Sequence, residues 1–175
     1  MKIIECGLEG IFLVDPTNFE DHRGFFLECF EIDRYREAGI TAQFVQCNHS
    51  HSKKDVLRGM HFTRLKPQAQ LLTVMHGRIF DVVVDIRRES SNFGKWIAAE
   101  LGNGGPRQIY IPHGFAHGFC VLSDSADLHY MVSQRYDPFD EGGLIWNDSD
   151  VAIDWPVKYP IISERDRSHP KLKDI

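Results

Sequence analysis

Arg78-Ile79-Phe80-Asp81-Val82-Val83-Val84-Asp85-Ile86-Arg87 sets the fold class of this chain. Along an extended backbone Phe80, Val82, Val84 and Ile86 share one face, while Ile79, Asp81, Val83 and Asp85 share the other. Runs of the same kind lie on both sides of it, and the pattern predicts strands over 11–14, 24–30, 44–51, 71–74, 96–101, 108–111, 118–122 and 126–133. Short turns separate them, among them Asp15-Pro16, His76-Gly77 and Gly102-Asn103-Gly104-Gly105-Pro106. One short helix is expected over 31–39, closed by Gly39. Many strands with little helix favour a single antiparallel sandwich or barrel spanning residues 1–175. From Trp146 onward the chain is richer in Asp and Pro and reads as irregular chain wrapped on the β core.

The 175 residues suit one domain, and 42% hydrophobic with 26% charged residues is an ordinary globular balance. Formal net charge is −5 with no basic run, so no nucleic-acid partner is expected, and an anionic ligand would have to be captured by local arginines. No apolar run approaches membrane-spanning length, and the first residues, carrying Glu5 and Glu9, do not read as a secretory signal. Cys6, Cys29, Cys47 and Cys120 are widely spaced without a C-x-x-C pair, which predicts buried free thiols in a reducing cytoplasm.

Val56-Leu57-Arg58-Gly59-Met60-His61-Phe62 carries an arginine and a histidine at odd spacing, which places them on opposite faces of a regular strand. A bulge at Gly59 would turn both into one pocket, giving a cation for an anion beside an imidazole able to take a proton near neutral pH. Pro112-His113-Gly114-Phe115-Ala116-His117 then matches the P-x-G-x-x-H part of the second cupin motif. That resemblance implies an all-β cupin-type double-stranded β-helix or jelly roll with short peripheral helices. His49-Ser50-His51 supplies an H-x-H, so a metal-dependent cupin enzyme using His49, His51 and His117 is one alternative. The carboxylate that follows is Asp55, not the glutamate of the cupin pattern.

Further stretches narrow the resemblance. Asp21-His22-Arg23-Gly24-Phe25-Phe26-Leu27-Glu28-Cys29-Phe30 matches D-x-R-G-x-F-x-E-x-F, Gln46-Cys47-Asn48-His49-Ser50 matches Q-x-N-x-S, and Leu57-Arg58-Gly59-Met60-His61 matches L-R-G-x-H. Ile162-Ser163-Glu164-Arg165-Asp166 matches L/I-S-x-K/R-D, and Trp155-Pro156 precedes it. In this order and spacing, over residues 10–166, the set resembles the dTDP-4-dehydrorhamnose 3,5-epimerase family. The resemblance implies cofactor-free, metal-free epimerisation beside the ketone of a nucleotide-diphosphate 4-keto-6-deoxy sugar, inverting C3 and C5. It makes His61 the base, Asp166 the group that orients it and Tyr130 the proton donor. It also implies substrate contacts from Arg23 and Arg58 to phosphates; from Phe26, Glu28, Gln46 and Asn48 to the nucleotide; and from His117 to the sugar or enolate. Tyr136 would stack on the base, with Glu141 and Arg165 as lesser contacts. Asp81 and Asp85 read as structural.

Gln70 stands where the family pattern has a lysine that helps stabilise the enolate. A neutral amide donates a hydrogen bond without the charge, with Lys66 or Arg64 as possible substitutes. A 3-epimerase acting on another deoxysugar, carried on CDP or GDP, is therefore a second alternative, and a non-catalytic nucleotide-sugar binder a third. The family resemblance further implies a homodimer with residues 1–14 at the interface.

Overall fold

The computed structural model describes all 175 residues. In chain order the elements are β1 (Lys2–Glu5), β2 (Phe12–Asp15), β3 (Asn18–Asp21), β4 (Gly24–Leu27), α1 (Ile32–Glu37), β5 (Gln46–Lys53), β6 (Leu57–Thr63), β7 (Gln70–His76) and β8 (Arg78–Asp85). They continue with β9 (Trp96–Gly102), β10 (Gln108–Ile111), β11 (Phe115–Val121), β12 (Ser125–Val132), β13 (Glu141–Gly143) and α2 (Glu164–Arg167), and a terminal 3-10 turn spans Leu172–Asp174. The strands form a six-stranded sheet in the order β1-β2-β10-β7-β12-β5 and a five-stranded sheet in the order β13-β6-β11-β8-β9, while β3 and β4 make a separate hairpin. Every pairing between named strands is antiparallel. Two sheets closed face to face with few helices give the expected jelly roll.

Both faces of β8 are apolar because both are covered. Ile79 and Val83 join Leu72, Val74, Ile109 and Leu128 in the core between the sheets. Val82 and Val84 point outward, where Leu144, Val151 and Leu172 of the wrapped carboxyl-terminal chain cover them. The strand therefore reads as a near-continuous hydrophobic run, as strands buried on two sides do. A third cluster, with Tyr35 and Ile40 against Leu71 and Tyr110, seats α1 on the outside of the six-stranded sheet. The helix itself is shorter than expected. Glu31 caps it by accepting from the Asp33 and Arg34 N–H groups, and Gly39 follows at a φ of +90°.

The bulge expected in β6 is present. His61 faces His117 and Arg58 faces Phe119, so two residues of β6 stand opposite the single Gly118 of β11. Gly59 takes a φ of +117°, and a Cβ there would lie 2.6 Å from the Gly118 Cα and 2.7 Å from the His117 carbonyl. Only glycine fits that approach.

Three expectations are corrected. The strand expected over 24–30 ends at Leu27, because Glu28 pairs with Arg34 and Phe30 packs on Tyr35 and Phe44 around α1. The charged stretch Glu20-Asp21-His22-Arg23, whose composition predicts a turn throughout, turns only at His22-Arg23 and places Glu20 and Asp21 in β3. The four cysteines are unpaired as expected but not uniformly buried: Cys120 is buried, Cys6 and Cys29 are half-buried and Cys47 is exposed.

Candidate active site

Between the two sheets opens a cavity of about 390 Å³, within the range of small-molecule sites. Alternation on β5 points Gln46, Asn48 and Ser50 into it. The β6 bulge brings in Arg58 and His61, β11 brings His117, β7 Gln70 and β12 Tyr130. The segment after β12 closes the rim with Tyr136, and Glu141 and Arg165 complete it. His61 and Tyr130 come from different sheets and so stand on opposite walls.

His61 Nε2 lies 2.9 Å from Asp166 Oδ1, and Gly59 N–H donates to Oδ2 at 3.1 Å. A histidine that donates from Nε2 to a carboxylate keeps Nδ1 as its basic nitrogen, and His61 Nδ1 has no hydrogen-bond partner. Asp166 is 3% exposed and lies behind the imidazole, outside the cavity lining. Burial by itself would raise its carboxyl, but the hydrogen bond and charge of His61, the Gly59 N–H and Ser163 outweigh burial and hold it well below the usual carboxylate range. Asp166 is thus a fixed anion that orients His61. Arg165 stands beside the pair, 3.3 Å from Asp166 Oδ1, and ion-pairs with Glu141 at 2.7 Å. Tyr136 donates to the same Glu141 at 3.2 Å.

On the facing wall, burial raises the Tyr130 phenol above its ordinary value despite the pull of Arg58, so it stays protonated at neutral pH. His117, the cross-strand neighbour of His61, forms a second buried pair with Asp81 at 2.8 Å. Asp81 therefore serves the site by fixing His117. Asp85 is structural as expected, tied to Arg87 and Ser90. Arg58 Nε donates to Ser52 at 3.0 Å, and neither Arg58 nor Arg135 has a carboxylate partner, leaving two free cations in the cavity. Lys66, a suggested stand-in for the family lysine, lines the rim but is bound to Asp137 at 2.7 Å. Gln70 donates to Gln68 at 3.3 Å.

Three sequence-expected contacts lie elsewhere. Arg23, Phe26 and Glu28 are outside the cavity lining. Arg23 pairs with Asp21, Glu28 with Arg34, and Phe26 is 68% exposed. The alternative metal trio is not assembled: His49 and His51 project from the outer face of β5 and both bind Asp127, at 2.9 and 3.1 Å, while His117 is buried against Asp81. Sequence reading missed Arg135 and Gln134, which follow β12 in Ser133-Gln134-Arg135-Tyr136. A basic residue next to the expected stacking tyrosine was the available signal. It also missed His169, which packs edge-on to His61.

A cupin-like jelly roll with a polar cavity, a carboxylate-oriented histidine and a phenol on the facing wall has the groups that a proton-transfer enzyme needs. The family model described as dTDP-4-dehydrorhamnose 3,5-epimerase matches residues 5–174. The chain belongs to the dTDP-4-dehydrorhamnose 3,5-epimerase family, a family of isomerases. It is 44% identical to the dTDP-4-dehydrorhamnose 3,5-epimerase of Shigella flexneri over 99% of this chain and 97% of that one. It is 40% identical to a dTDP-4-dehydrorhamnose 3-epimerase of Streptomyces niveus, over 95% and 82%. Among solved structures it is similar to the dTDP-6-deoxy-D-glucose-3,5-epimerase of Legionella pneumophila in complex with dTDP-4-keto-L-rhamnose. The TM-score there is 0.94 with 41% identity, covering 98% of this chain and 93% of that one.

Proposed function

We propose that this protein inverts C3 and C5 of a dTDP-linked 4-keto-6-deoxyhexose without a cofactor. The observation that carries the reading is the His61–Asp166 pair on one wall of the cavity with the protonated Tyr130 phenol on the other. His61 Nδ1 takes the proton next to the ketone, the electron pair moves onto the carbonyl oxygen as an enolate, and Tyr130 returns a proton to the opposite face of the same carbon. Gln70 donates an N–H to the enolate oxygen, and His117 lines the sugar position beside it. Arg58 and Arg135 neutralise the diphosphate, while Gln46, Asn48 and Tyr136 hold the nucleoside. Glu141 and Arg165 brace the rim around Tyr136.

Gln70 favours a second reading, inversion at C3 alone, since a neutral donor stabilises an oxyanion less than a charged one. A relative of that narrower activity is about as similar to this chain as the double epimerases. NMR of the dTDP-, CDP- and GDP-4-keto-6-deoxyglucose substrates in deuterium oxide separates the readings. Deuterium at both C3 and C5 of the dTDP sugar is expected; label at C3 only establishes the 3-epimerase, and no label on any of the three sinks the proposal.

We also infer a homodimer working in the cytoplasm. Arg23 and Phe26 sit on a hairpin whose Phe19, Phe25 and Phe26 are all exposed, a surface suited to a second copy whose cavity they would complete. The four unpaired cysteines suit a reducing compartment. No helix is long and apolar enough to cross a membrane. A monomer by analytical ultracentrifugation at enzyme-assay concentration would refute the dimer.

A further inference from the structure

The chain that delivers Asp166 also places a second imidazole behind it. The His169 side chain is 14% exposed, yet its Nε2 is buried and has no hydrogen-bond partner. That nitrogen stands 3.6 Å from Asp166 Oδ1, the same oxygen that holds His61 Nε2 at 2.9 Å. The two rings meet edge-on at 86°, with centroids 5.7 Å apart. The face of His169 lies on Gly143, the β-partner of His61, so closely that a Cβ there would fall 2.2 Å from the ring. A buried, unpartnered nitrogen beside an anion is an open hydrogen-bond position.

On the reading of His61 as the base, we propose that His169 is a positioning residue that competes with His61 for Asp166 Oδ1. While His169 is neutral with its proton on Nδ1, His61 is the only imidazole that donates to Asp166 Oδ1. When His169 takes a proton, Nε2–H closes the remaining gap to Oδ1, and His61 loses both its orienting partner and its compensating charge. The charged groups facing His169 are His61 on β6, Asp166 and Arg165 on α2, and Glu141 on β13. Burial first, then the charge of His61, keeps His169 below its ordinary value, so the neutral state prevails at working pH and the competition is confined to acid.

The test is the acid limb of kcat/KM in the wild type, His169→Phe and His169→Asn. Phenylalanine keeps the ring face on Gly143 without a nitrogen; asparagine covers the case in which phenylalanine fails to fold. The wild type is expected to lose about a hundredfold per pH unit over the steepest part of the limb, as two coupled protons require, and the folded variants about tenfold. Near pH 8 the variants should stay within about threefold of wild type. A single-proton limb in all three proteins overturns the proposal, and so does a folded variant inactive at every pH. His61→Asn is the control for the underlying reading: if it retains turnover, His61 is not the base and that reading fails on its own account.

Discussion

Asp166 is the residue on which the proposed site turns, because one buried carboxylate holds the His61 ring and also collects the Gly59 N–H. Asp166→Asn keeps the shape but removes the charge, and a drop in kcat on the order of a hundredfold or more is expected, with a smaller change in KM, by steady-state assay. The pH sign follows from its depressed carboxyl. Such a group contributes stability that is fully present above the unfolded value, about pH 4, and lost as pH falls through the folded value. Urea midpoints measured between about pH 3 and pH 6 should therefore fall less steeply in Asp166→Asn than in wild type. Tyr130→Phe tests the other wall. It should abolish product formation while His61 still exchanges the substrate α-proton with deuterium oxide, an outcome that a merely misfolded cavity could not produce. At this scale sequence reading brought His61, Arg58, Gln46 and Asn48 into one cavity because strand alternation and one glycine dictate where they point, while Tyr136, on irregular chain, was reached only through the family resemblance. It could not locate Arg135 or His169, whose positions depend on how irregular segments pack.

Among the elements, β6 brings Arg58 and His61 to the cavity through a departure from regular pairing. Gly59→Ala puts a Cβ against the β11 backbone at a φ that other residues avoid, and should cost about 1–3 kcal/mol of stability by denaturant unfolding. If the bulge aims His61, turnover should fall further than the fraction folded; turnover that merely tracks folding would show that the bulge is not what aims it. Most of the longer strands were legible because they bury at least one face in a packed layer, and β5 because its polar residues alternate toward the cavity. Strand β3 was not, since all four of its residues are exposed and no buried face imposes a period. The overrun past Leu27 has a related cause: Phe30 continues the apolar pattern on paper but belongs to the α1 cluster, a different core. β13 escaped notice because three residues, two of them glycine, carry no pattern at all.

For the molecule as a whole, the outlying hairpin and the cavity separate cleanly in the chain, which makes the proposed pairing of copies testable by complementation. Arg23→Ala and His61→Asn subunits, each inactive alone, should regain about one quarter of wild-type turnover when mixed and refolded, since half the dimers are then mixed and each mixed dimer has one intact site. No recovery would place Arg23 in service of its own subunit or of none. The barrel strands end at Gly143, yet Asp166 comes from chain that runs back over the five-stranded sheet, held by the Val56–Ile161 bridge and the Leu172 N–H to Asp148. A polypeptide is made from its amino end, so a nascent copy on the ribosome completes the strands of its container before it gains the carboxylate that orients His61. Copies clipped between β13 and Asp166 are accordingly expected to hold nucleotide sugar but leave it unchanged, and activity begins only when the strap that carries Asp166 is laid down.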